Sequence, residues 1–130
     1  MRTLIWGRQA ASPVPDLGGL EASLVAEAGL DPLQARAFVS VCTGGMADAA
    51  ELARRLGVPE SDAGAAASEL VRLGAFISMP DGYESTHPRF AAVRMYRAHC
   101  EGRGERAGRN DAIDAVGAAL EGPYDAARTG

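Results

Sequence analysis

A chain of 130 residues is long enough for one domain around a single modest core. Its hydrophobic fraction of 47% includes much alanine, so a few large side chains (three Phe, three Tyr, one Trp, scattered Leu and Val) must build that core and helical packing is expected. The net charge of −4 argues against a domain that holds nucleic acid by overall cationic excess, and all 13 basic residues are arginine.

Residues 1–16 read as an N-terminal arm. Met1 to Trp6 is a short apolar start suited to an edge strand or to packing its Trp, and Ala10 to Asp16 has linker composition. The arm has no charged segment followed by an apolar stretch and a small-residue cleavage site. No apolar run approaches the ~20 residues of a bilayer span, so a cytoplasmic protein without a membrane partner is expected.

From Leu17 the pattern is helical, with Leu20, Leu24 and Ala28 on one face before Gly29. Asp31 and Pro32 form a cap and first-turn pair for a second helix carrying Leu33, Ala37, Phe38 and Val41, which Gly44 and Gly45 stop. Asp48 and Glu51 then have capping-box spacing, and Ala49, Leu52, Ala53 and Leu56 repeat along one face of a short helix. Gly57 is placed to end it and Val58 to plug a tight turn. Ser61 is expected to cap the next helix, whose Ala63, Ala66, Ala67 and Leu70 repeat at the same intervals. Two helices across a tight turn are the arrangement that presents a recognition helix to a DNA groove.

Gly74 closes that helix. Ala75 to Met79, a Pro80-Asp81-Gly82 turn and Tyr83 to Thr86 predict a two-stranded hairpin. His87-Pro88 opens a long helix through about Glu101, with Thr86 or His87 as cap and Phe90, Val93, Met95, Tyr96 and Cys100 on a broad apolar side. A Gly- and Arg-rich joint, Gly102 to Arg109, leads to a last helix capped by Asn110 and bearing Ile113, Val116 and Leu120. Gly122-Pro123 is expected to end it before an extended tail, Tyr124 to Gly130. The apolar stripes of these last two helices exceed what a 70-residue motif buries by itself, which predicts a homodimer.

From about Gly29 to Arg97 the sequence resembles winged helix-turn-helix transcription regulators, most closely the TrmB-type group. The resemblance is carried by GLDPLQARAFVSV before the motif, AAELARRLGVP within it and ELVRLG running into the wing. It implies a mainly α fold: a winged helix-turn-helix over 17–88 with a two-stranded β wing, an extra N-terminal helix, and two C-terminal helices over 89–122 for dimerisation or docking, then a tail over 123–130. It also implies that the second motif helix enters the major groove.

Two functions follow from the residues. A dimeric DNA-binding regulator would use Arg54, Arg55, Ser61, Ser68 and Arg72 on the motif, with Arg89, Arg94 and Arg97 after the wing touching phosphate. The reading head departs from this chemistry, because Glu60, Asp62 and Glu69 repel a duplex, Gly64 and Ala65 offer no long donor, and the wing tip lacks a cation. Arg54 and Arg55 can instead form a solvated face, with Glu51 and Arg55 paired at i, i+4.

The alternative is an accessory or regulatory subunit that works by protein contact. It would use Glu60, Asp62, Ala65 and Glu69 on the alanine-rich helix, and Arg103, Arg106, Arg109 and Tyr124 as a dock. Charge segregation permits such pairing: residues 31–85 carry four arginines and eight acids, whereas residues 86–110 carry six arginines and two acids.

Enzyme chemistry is not expected, because no nucleophile is paired with a base and Gly44-Gly45 lacks the rest of a phosphate loop. No cofactor or metal is expected either. His87, His99, Cys42 and Cys100 lack the short pairwise spacing of a zinc site, and the neighbours His99 and Cys100 point about 100° apart on a helix.

Overall fold

The structure, a computed structural model, describes residues 16–129; the N-terminal arm expected over 1–16 lies outside the described residues except for Asp16. In chain order come α1 (Leu17–Ala28), α2 (Pro32–Gly44), α3 (Ala49–Leu56), α4 (Glu60–Arg72), β1 (Phe76–Met79), β2 (Gly82–Ser85), α5 (Pro88–Gly102) and α6 (Asp111–Thr129). The fold is thus mainly helical, with one antiparallel hairpin.

Side-chain caps explain most helix starts. The Asp16 carboxylate accepts from the Gly19 amide at 3.1 Å. At α2 the box is reciprocal: the Gln34 amide donates to Asp31 at 2.7 Å, and the Asp31 amide donates to the Gln34 side chain at 3.1 Å. At α3 only half of the expected box forms. The Glu51 amide donates to Asp48 at 2.8 Å, but the Glu51 carboxylate turns to Arg54 and Arg55 instead of the cap.

Ser61 is not the cap of α4, contrary to the spacing argument. Pro59 holds that position with no side-chain acceptor, and its carbonyl already receives the amides of Asp62 and Ala63, both at 3.1 Å. The fixed φ of proline, −60° here, presets the helix entry before a cap at Ser61 could act.

The core is continuous across both halves of the chain. Leu24, Phe38, Leu52, Leu70, Met95, Ile113 and Leu120 are all fully buried in one cluster. α2 lies at its centre, in contact with α1, α3, α4, β2 and α6. Phe38 stacks with Phe76 and Phe76 with Tyr83, at centroid distances of 6.4 and 6.3 Å, which ties α2 to the hairpin. Ala47 adds an isolated bridge to Tyr83 through amides at 3.1 and 2.7 Å, so the segment before α3 is stitched to β2.

Two expectations about the C-terminal half are corrected. The stripe of Ile113, Val116 and Leu120 does not wait for a second copy: each is at most 1% exposed, and α6 packs on α5, α2 and α1 of the same chain. Met95 and Cys100 are buried likewise, which leaves Phe90 as the large exposed apolar residue of α5, at 55%. The second correction concerns the tail. α6 continues through Pro123 to Thr129, because the segment beyond the proline is anchored by Arg128, whose contacts offset the backbone hydrogen bond that Pro123 cannot donate.

Candidate functional site

Most of the residues assigned to DNA or protein contact fall on two surfaces, the outer side of the α3–α4 pair and the outer side of α5, while Arg103, Arg106 and Arg109 lie in the joint after α5 and Tyr124 on α6. On α4 the positions left exposed are Glu60, Ser61, Asp62, Ala65, Ser68 and Arg72, with Glu69 half-buried. They face outward because Ala63, Ala66, Ala67 and Leu70 take the other side of the helix into the core.

The cations of this pair are engaged. Arg54, exposed, meets Glu51 one turn earlier. Arg72 donates from Nε to Glu69 at 2.8 Å, and that bond holds the Glu69 carboxyl below its ordinary pKa while raising the guanidinium. Arg55 has a structural role that the i, i+4 spacing alone does not reveal. Its side chain is 22% exposed, and beyond its bond to Glu51 at 3.1 Å it donates to the carbonyls of Ser40, Gly44, Gly45 and Met46 at 3.0 to 3.4 Å. Gly44, Gly45 and Met46 lie at and just past the end of α2, where carbonyls lack intrahelical partners, so Arg55 is turned inward and caps a helix.

Between the hairpin and the start of α3 lies a cleft of about 480 Å³ lined by Asp48, Ser78, Met79, Pro80, Asp81 and Tyr83. Its charged groups are carboxylates. Glu60 and Asp62 stand exposed at the start of α4.

The outer face of α5 has the opposite character. Arg89, Phe90, Val93, Arg94, Arg97 and Glu101 line a groove of about 610 Å³. Arg89 pairs with Glu121 of α6 at 2.9 Å. Arg94 rests over Gly74 at the end of α4, and its guanidinium carbon lies 5.7 Å from the Phe90 ring centroid. Among the described residues, neither Arg94 nor Arg97 has a carboxylate within 4 Å.

The proposed dock does not form one patch. Arg103 bonds Glu105 at 3.0 Å and contacts His99 at 3.3 Å, and Arg109 reaches Asp114 at 3.3 Å, while Arg106 is exposed without a carboxylate partner among the described residues. Tyr124 is half-buried elsewhere, donating to the Ser85 carbonyl at 3.4 Å and lying edge-on to His87.

Two arginines outside both predicted sites, Arg36 and Arg128, hold this frame. Arg36 donates to the Leu56 carbonyl at 2.8 Å, closing the end of α3. Arg128 donates to the carbonyls of Cys42, Val41 and Tyr124 at 3.0 to 3.1 Å, pairs with Glu84, and stacks 3.7 Å from the Tyr124 ring centroid. The i, i+4 spacing of Tyr124 and Arg128 was the available signal, masked by Pro123.

Cys42 lies in the same region, 3.2 Å from the Ser85 hydroxyl, and burial pushes its thiol up to about 12, so it is not a nucleophile at neutral pH. Among the described residues, no three His, Cys, Asp or Glu side chains are grouped to hold a metal ion, and no helix is long and apolar enough to cross a membrane. No protein-family model matches the chain, and neither a curated protein nor a solved structure is significantly similar to it.

Proposed function

We propose that this chain is a winged helix-turn-helix protein that acts by protein contact, as a small accessory or regulatory subunit in the cytoplasm, and not by reading DNA. In this reading α3 and α4 are the motif, the β1–β2 hairpin is the wing, and α5 with α6 buttress them. One observation carries the choice. Arg55 is turned into the end of α2, and Arg54 and Arg72 are neutralised by Glu51 and Glu69, so the exposed α4 surface offers a duplex only Glu60, Asp62 and small side chains.

A groove-reading helix needs long donors for base edges and cations for phosphate, and phosphate contacts supply most non-specific affinity. The Pro80-Asp81 wing tip adds a carboxylate where a backbone clamp needs a cation. A flat Ala- and Ser-lined surface is better suited to receiving another protein segment at close range.

The test is fluorescence anisotropy with labelled random duplex and upstream-region duplex at roughly 50 and 200 mM salt. No binding is expected in either condition. Binding at low salt that collapses at high salt would overturn the reading in favour of a dimeric DNA-binding regulator working through Ser61, Ser68, Arg94 and Arg97.

A further inference from the structure

We propose that His87 is a pH-responsive cap: as a neutral imidazole it holds the first turn of α5, and on protonation it releases that turn and swings to Glu121 of α6. The proposal concerns how the fold responds to acidity and stands apart from the protein-contact reading.

The sequence creates the need for this cap. Pro88 opens α5 without an N–H, so the Arg89 amide is the first donor of the helix and has no intrahelical acceptor. The His87 Nδ1 accepts it at 3.2 Å. A backbone amide can only donate, so Nδ1 must carry a lone pair and the proton of the neutral ring must sit on Nε2. That nitrogen faces one Glu121 oxygen at 3.5 Å, while the other Glu121 oxygen accepts from Arg89 Nε at 2.9 Å.

The other side-chain caps differ in one respect. Asp16, Asp31, Asp48 and Asn110 each accept a helix amide through an oxygen. An amide does not titrate and a carboxylate does so well below neutrality, whereas imidazole ordinarily changes charge between about pH 5 and 8. Among the described helices, α5 is therefore the one whose cap changes chemistry near neutral pH.

The groups around the ring divide between its two states. A proton on Nδ1 sets two donors face to face, because the Arg89 amide cannot accept, and the cap is lost. The positive end of the α5 dipole and the Arg89 guanidinium also oppose a cation at that position. Glu121 favours it, and with 40% of the His87 side chain exposed, water can hydrate the charged ring once it leaves the amide. Tyr124 meets the ring edge-on at 5.3 Å and commits its hydroxyl to the Ser85 carbonyl at 3.4 Å. On the hairpin side, Glu84 is held by Arg128. The turn so released carries Arg89 and Phe90, which line the α5 groove, and Arg89 packs closely on Gly117 of α6. Acidity is thereby coupled to the shape of that groove.

Nitrogen-15 NMR on the full chain between about pH 8 and 5 tests this. At the upper end the long-range imidazole correlations of His87 should report the Nε2–H form. As the ring takes up its second proton, the Arg89 amide should move upfield with the same midpoint. Its exchange protection, corrected for the intrinsic effect of pH, should fall about fivefold, as for the loss of one hydrogen bond. The Met95 amide, further along α5, should hold its protection throughout. His87→Asn supplies a cap oxygen that does not titrate, so in that variant the Arg89 amide should keep its shift and protection over the whole range.

An Nδ1–H ring at the upper end of the range overturns the proposal, and this measurement needs no variant. So does an Arg89 amide that ignores the imidazole titration, or one that follows pH in His87→Asn as it does in the wild type. Loss of protection at Met95 together with Arg89 would also overturn it, since the whole helix and not its first turn would then be responding.

Discussion

Arg55 and Arg128 meet at the end of α2 from opposite parts of the chain. Arg55 takes the carbonyls of Ser40, Gly44, Gly45 and Met46, and Arg128 takes those of Val41 and Cys42. Two guanidinium groups therefore satisfy the carbonyl end of the central helix, where the helix dipole favours positive charge. Both are more than three-quarters buried, at 22% and 19% side-chain exposure, so they belong to the frame and not to a binding surface.

Arg55→Ala should destabilise the fold by about 2–3 kcal/mol, because several part-buried carbonyls lose a charged donor at once. Arg55→Lys should recover only part of this, since one ammonium cannot span the fan of acceptors that the planar fork reaches. Urea unfolding monitored by circular dichroism measures both. Arg54→Ala, one residue earlier on the exposed side, serves as the contrast, with a change expected within about 0.5 kcal/mol.

Truncation after Gly122 separates a docked helix end from a loose tail. The deleted segment holds Tyr124 against Ser85 and Arg128 against Val41, Cys42 and Glu84, so its loss should lower stability by about 2–4 kcal/mol and reduce the helical signal. An extended tail would come off with almost no effect. Arg128→Ala alone should reproduce most of the loss, because it leaves the half-buried Glu84 without its partner.

What the sequence disclosed was local. Asp31 with Pro32, Asp48, Gly57 and the 3.6-residue apolar repeats of α2, α3 and α4 state their roles within a few positions of themselves, and the structure agrees with them. What it concealed was tertiary. A Glu51–Arg55 spacing describes a surface pair equally well whether the other donors of Arg55 face water or the end of α2. Gly122-Pro123 is a sound stop signal until Arg128, far from α2 in sequence, finds that helix end and holds the last turns in place. The stripe of Ile113, Val116 and Leu120 suggested a dimer only while its home against α1, α2 and α5 was unknown. Of the candidate site, the acidic character of α4 and the cationic character of α5 were legible in charge order, whereas the engagement of individual arginines was not.

Cys42 gives a pH dependence with a definite sign. Burial, the main cause, raises its thiol from 9.0 to about 12, so between those values the folded chain keeps a proton that the unfolded chain has released. The contribution is therefore fully present below pH 9 and is lost as pH climbs towards 12, at a limiting slope of about 1.4 kcal/mol per pH unit. Measured against Cys42→Ala, the wild type's relative stability should fall over that window and stay flat below it. At pH 8 in native buffer a disulfide reagent should label Cys42 far more slowly than in urea, and prompt native labelling would contradict the buried site.

Two glycines of α6 make the same substitution act in opposite directions. A Cβ on Gly117 would stand 2.8 Å from the Arg89 Cα, so the side of α6 at Gly117 and the first turn of α5 approach too closely for any side chain. Gly117→Ala must push backbone against backbone, and about 1–3 kcal/mol of destabilisation is expected, as for overpacking elsewhere in cores. Gly122, five residues on in the same helix, has nothing within 4 Å of that position. There alanine removes only the entropy penalty of glycine, and Gly122→Ala should stabilise by up to ~1 kcal/mol. Thermal or urea unfolding of the pair decides whether α5 and α6 are in close register. If Gly117→Ala were neutral, the α5–α6 spacing would be looser than described, and Arg89 at the mouth of the α5 groove would not be fixed. Should Gly122→Ala destabilise, the helix would not continue through Pro123 as an ordinary helix, and the anchoring assigned to Arg128 would have to be reconsidered.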